Sequence, residues 1–127
     1  MKFNSDIAAL AQQNEYFRRE VVTGTYNQVV VMSIPPGSEI GEETHSDRDQ
    51  VLVFVSGEGN AILNGESQPV AANSLCFVPA GTKHNFVNTG TSALKLYTVY
   101  APPEHEPGTI HKTKAEADAA EAAEHHH

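Results

Sequence analysis

The chain predicts an all-β domain preceded by a short helix and followed by a helical tail, and three observations carry this. From Val21 onward, short runs rich in β-branched and aromatic residues follow one another. Turn residues separate them at short intervals. Helical composition is confined to the two ends, Ser5 to Gln13 and Lys112 to Glu124. At 127 residues with 39% apolar content, the chain fits one core and leaves no room for a second domain. The expected organisation is an N-terminal helical segment (1–20), a β-barrel or sandwich (21–101) and a proline-rich connection with a helical tail (102–127).

The leading helix follows from Ser5 or Asp6 as N-cap and from Ile7, Leu10 and Ala11 on one stripe. The expected strands are Tyr26–Ile34, Gln50–Ser56, Asn60–Leu63, Gln68–Val70, Leu75–Val78, His84–Asn88 and Leu94–Tyr100. Between them lie Pro35-Pro36-Gly37, Gly57-Glu58-Gly59, Asn64-Gly65, Pro79-Ala80-Gly81 and Asn88-Thr89-Gly90. The Asn-Gly pair is the strongest hairpin signal, because both positions tolerate positive φ. In Gln50–Ser56 one face carries Gln50, Leu52 and Phe54 and the other Val51, Val53 and Val55. A strand apolar on both faces needs a cover on its outer side. A second subunit, making a homodimer, is the simplest cover; the alternative is the N-terminal segment folded over that face. Pro102, Pro103 and Pro107 then fix an extended connection. The Ala/Glu-rich stretch from Lys112 predicts a solvent-facing helix with charge pairs Lys112–Glu116 and Lys114–Asp118. His125 to His127 read as a purification-tag remnant and carry no functional argument.

A formal net charge of -8 argues against binding nucleic acid or anionic lipid unaided, because no basic excess displaces counterions. The single cysteine, Cys76, makes no internal disulfide, and no leader or long apolar run is seen at the start. A cytoplasmic location is expected, with a small molecule as the partner.

Two spaced patterns cross the middle of the chain: Gly37, Glu43, His45, Gln50 and Gly57, then Pro79, Gly81, His84 and Asn88. Glu43 and His45 are two apart, so an extended strand points both to one side. Gln50 opens the inner face of the next strand, and His84 opens another. Two imidazoles, a carboxylate and an amide oxygen are plausible donors for one divalent transition metal, leaving positions free for water or substrate. Phe54 and Phe86 share faces with Gln50 and His84, and are expected as core or as the wall of a substrate pocket.

These intervals resemble the two motifs of the cupin superfamily, in particular its small single-domain members of the mannose-6-phosphate isomerase-like group. Glu43 stands where that family usually has histidine, and Gln50 where it usually has glutamate, so the carboxylate has moved rather than vanished. Asn73 replaces a leading glycine, a mild change because Asn tolerates positive φ. Setting His45 and Asp47 as the paired ligands instead spoils the interval from Gly37. The resemblance covers residues 26 to 100. It implies a double-stranded β-helix (a jelly-roll barrel), often dimeric, with bound Mn, Fe, Ni, Zn or Cu. Two histidines with Glu and Gln also resemble the zinc ligands of phosphomannose isomerases.

Each residue has a plainer reading beside the functional one. Gln50 could merely bond backbone, and Glu43 could belong to an acidic, solvated loop. Asp47, Arg48 and Asp49 fit a turn, with Asp47 a reserve ligand. Cys76 packs as a small apolar group. His105 and His111 are expected on exposed loops, unless the proline-rich connection folds over the barrel mouth and lends one to the site. Between Val21 and His111 the basic residues are Arg48, Lys83 and Lys95. That scarcity favours a small chelating hydroxy, keto or diketo compound over a sugar phosphate. The expected function is a metal-dependent enzyme, a dioxygenase or an isomerase or lyase, with no separate general base evident. The alternatives are a non-catalytic small-ligand-binding or sensing module and a structural subunit of an assembly.

Overall fold

The computed structural model of the chain describes residues 3–124, so the terminal histidines lie outside the described residues. Helix α1 (Ile7–Gln13) is capped by Asp6, whose carboxylate accepts the Ala9 amide at 3.1 Å. Seven residues do not hold a helix by themselves. Packing holds it. α1 lies against three neighbouring strands, β2 (Gln28–Ile34), β4 (Asp49–Ser56) and β9 (Leu94–Ala101). Ala11 is fully buried, and Lys95 Nζ on β9 donates to the Gln12 carbonyl at 2.6 Å.

The remaining strands are β1 (Arg18–Thr23), β3 (Glu43–Thr44), β5 (Gly59–Leu63), β6 (Glu66–Val70), β7 (Leu75–Val78), β8 (Lys83–Asn88) and β10 (Ile110–His111), followed by helix α2 (Lys114–Glu124). They form a six-stranded sheet, in the order β10-β1-β2-β9-β4-β7, and a four-stranded sheet, β3-β8-β5-β6. Every pairing is antiparallel. The core lies between the inner faces, with Met32 and Ile34 from β2, Leu52 and Phe54 from β4, Leu94 and Leu96 from β9, and Phe86 from β8. Asn64 and Gly65 take φ of 49° and 84° and close the β5–β6 hairpin, as the Asn-Gly signal requires. Asn73, standing for the family's glycine, adopts φ of 74°.

Two strands, β1 and β10, were not expected, and β3 is a short form of the extended run expected at Glu43 and His45. β1 begins with Arg18-Arg19-Glu20, which offers no apolar alternation, and β10 is too short to carry any pattern. β1 crosses the expected boundary at residue 20, and β10 extends the large sheet from the segment beyond residue 101. The outer face of the large sheet is covered in part by α1, which realises the alternative of a folded-over N-terminal segment. Leu75 and Phe77 on the edge strand β7 stay 63% and 53% exposed. In α2, Lys114 pairs with Asp118 at 2.9 Å as expected. Glu116 instead accepts the Lys112 backbone amide, while the Thr113 hydroxyl accepts the Glu116 amide, a reciprocal cap. Ala117 is buried in the core cluster, so α2 is not solvated on every side.

Candidate metal centre

The two sequence motifs meet because Glu43 on β3 pairs in register with His84 on β8. The Gly81 amide also donates to the His45 carbonyl at 2.7 Å, tying the Pro79–Gly81 turn to the first motif. His84 is 4% exposed, and its Nδ1 lies 2.9 Å from the Thr82 carbonyl. A carbonyl only accepts, so Nδ1 carries the proton and Nε2 keeps the lone pair a metal needs. His45 and His84 have ring centroids 5.4 Å apart, and His45 Nε2 sits 2.9 Å from a Glu43 oxygen. One ligand atom from each of Glu43, His45 and His84 falls within 4.8 Å of the others, so the three could hold a metal ion.

Burial alone would raise the Glu43 carboxyl; the His45 hydrogen bond and the charges of His45, Arg18 and His84 outweigh it and hold it below its ordinary value. The same bond from Glu43 raises His45, against burial and with help from Glu104. This hydrogen-bonded pair supplies two of the three candidate ligands. Gln50 is 4% exposed and faces inward; its Nε2 donates to Thr98 Oγ1 at 3.0 Å, while Oε1 is buried without a partner. A buried amide oxygen left unpaired is costly unless something binds it. The carboxylate of Glu43 and the two imidazoles form a donor set that suits a divalent transition metal.

A chamber of about 390 Å³ adjoins the cluster, walled by Glu43, His45, Glu104, His105, His111 and Arg18, with Ala117 and Ala120 of α2. The proline-rich connection lines this region, and His105 and His111 are chamber residues rather than exposed loop residues. Buried Gln28 holds the connection: its Oε1 accepts the Glu104 and His105 amides at 3.2 and 3.0 Å, and its Nε2 donates to the His105 carbonyl at 2.6 Å. Arg48 donates to the Pro103 carbonyl at 2.6 Å and lies 2.9 Å from the Glu104 carboxylate. Glu104 sits 3.6 Å from His45 Nδ1, and burial pushes its carboxyl up against the opposing charges of His45 and Arg48.

Phe54 and Phe86 are fully buried, 5.9 Å apart, and are core residues rather than chamber wall. Asp47 pairs with Arg48 at 3.0 Å and lies outside the cluster. Cys76 is buried, and burial raises its thiol, in keeping with a packing role. Sequence reasoning missed Arg18, Gln28 and Glu104. The only signal for Arg18 was Phe17 and Val21–Val22 around a charged run; none existed for the other two.

The Cupin domain family model matches residues 30–100, more than half of the chain. The chain belongs to the cupin family. It is 44% identical over 126 residues to the uncharacterised protein YrkC of Bacillus subtilis, covering 94% of this chain and 67% of YrkC. The crystal structure of BH2720 from Bacillus halodurans superposes with a TM-score of 0.92 at 40% identity, covering 94% of this chain and 95% of that one. An oxalate-binding protein of Thermotoga maritima is 34% identical over 68 residues, covering 54% of this chain and 56% of that protein. The chain thus spans between about half and two thirds of the length of these two curated relatives.

Proposed function

We propose that the protein is a metal-dependent cupin that holds one divalent ion on Glu43, His45, Gln50 and His84 and takes a small oxygen-chelating substrate from the adjoining chamber. The observation that carries this reading is the meeting of Glu43, His45 and His84 within 4.8 Å beside a polar cavity. The orphaned Oε1 of Gln50 supports the fourth ligand. A bound ion would supply Lewis acidity for an isomerase or lyase, or with iron the activation of dioxygen for an oxygenase. The chain's own part is to position and exclude. His84 is fixed by Thr82, Gln28 and Arg48 hold the connection over the chamber, and Glu104 presents a carboxylate beside His45 as a proton acceptor.

Elemental analysis of protein purified without an affinity tag is expected to find one divalent transition metal per chain. Metal exchange then separates the chemistries: dioxygen consumption with iron alone marks an oxygenase, and turnover with several divalent ions marks an isomerase or lyase. Protein that takes up no stoichiometric metal would sink the reading. The Thermotoga relative's name favours a second one, a module that binds a small acid without turnover. Ligand affinity unchanged by metal, with no turnover for any ion, would select it.

A homodimer belongs to the same proposal, with a second copy seated over Leu75 and Phe77 on the β7 edge. Phe77→Glu is expected to shift the protein from dimer to monomer in analytical ultracentrifugation; an unchanged dimer would place the contact elsewhere. A cytoplasmic location is retained on the lone, buried Cys76. No helix among the described residues is long and apolar enough to cross a membrane.

A further inference from the structure

We propose that Arg18 and His105 form a carboxylate subsite in the metal chamber, so that the ligand is an oxygen chelator carrying a second carboxylate. The proposal rests on the metal reading above and names the substrate class of that site. Arg18 is 7% exposed, yet its guanidinium, always charged, makes no ion pair with a carboxylate among the described residues. Its Nη1 donates to His111 Nδ1 at 3.2 Å, and its Nε is buried with no partner. A buried charge left this way is costly, and an anion entering the chamber relieves the cost.

His105 stands on the same wall with the same deficit: its Nε2 is buried and unpartnered. Burial, the Arg18 charge and His111 push its imidazole down to about 3, so it is a neutral ring that can donate one hydrogen bond. Its backbone is fixed by Gln28, and its ring packs edge-on at 5.4 Å to Tyr100. Two buried nitrogens without partners, Arg18 Nε and His105 Nε2, therefore share one small chamber with Glu43 and His45. The guanidinium fork matches a carboxylate. A dianionic phosphate suits the place less well, because Glu42, Glu43, Glu104 and Glu121 also line the space and a single guanidinium balances one negative charge.

The test compares 2-oxoglutarate with 2-oxopentanoate, which share a chelating end and a chain length and differ only in the far carboxylate. Calorimetry on the Mn-loaded full chain is expected to show 2-oxoglutarate binding at least tenfold more tightly. Arg18→Gln should bring that ratio close to one while metal content stays unchanged. A wild-type ratio near one, or a ratio that survives in metal-loaded Arg18→Gln, overturns the proposal. Should that variant fail to fold, the wild-type ratio and Arg18→Lys decide, the latter expected to keep only part of the preference. A wild-type chain that takes up no metal defeats the metal reading alone. The subsite is then judged by titrating the metal-free protein with glutarate: shifts in the His105 and His111 ring NMR signals support it, and their absence overturns it.

Discussion

Replacing His84 with alanine is expected to abolish stoichiometric uptake of a divalent ion while both sheets stay folded. The imidazole is buried at one end of the inner face and makes one polar contact, to the Thr82 carbonyl. Its removal opens a small cavity and forfeits one hydrogen bond, a loss of roughly 1–3 kcal/mol against the roughly 5–15 kcal/mol typical of a domain. Metal affinity suffers more. Residues that merely orient a ligand are worth about 10–100-fold, so deleting a lone-pair donor should cost on the order of a hundredfold or more. Gln50→Leu separates the fourth ligand from a buried structural amide. If Oε1 binds the ion, affinity falls about tenfold or more with little change in melting temperature, because among the described residues the one side-chain hydrogen bond lost is that to Thr98. Undiminished uptake by tag-free His84→Ala would contradict the assignment.

What was legible in the sequence was local. The Asn64-Gly65 turn, the positive φ at Asn73 and the inward parity of Gln50, Leu52 and Phe54 each follow from one or two residues and the geometry of a strand. Parity names a face but not a depth along it. Phe86 lies two residues beyond His84 on the same face, about 7 Å farther along the strand, and that step moves it out of the site into the core. The chamber was not legible because long-range pairing builds it. Arg18 reaches it through β1, paired with β10 some ninety residues later, a long-range pairing that no local pattern announces. Glu104 and His105 reach it because Gln28, which reads as an ordinary polar start to a strand, holds their backbone.

Gln28→Leu is therefore expected to loosen the chamber while sparing the metal cluster. Gln28 is fully buried on the inner face at the start of β2, and both ends of its amide are used. Leucine fills much of the same volume but leaves the Glu104 amide, the His105 amide and the His105 carbonyl without partners. Buried polar groups left so cost about 1–3 kcal/mol each, and partial relaxation of the connection toward solvent should hold the total near 3 kcal/mol. A loss of that size lowers the melting temperature by roughly 10 °C in a domain of this length. The proposed metal ligands sit on β3, β4 and β8 and the loop after β3, none of which Gln28 bonds, so metal content should not change. Hydrogen exchange at the Glu104 and His105 amides should quicken by about a hundredfold, the kinetic counterpart of losing roughly 3 kcal/mol of local protection. Arg48 would still hold the connection at Pro103 and Glu104, and Glu20 and the β1–β10 pairing would hold its far end. Slow exchange at both amides in a stable Gln28→Leu protein would show that the connection is held by something other than this side chain.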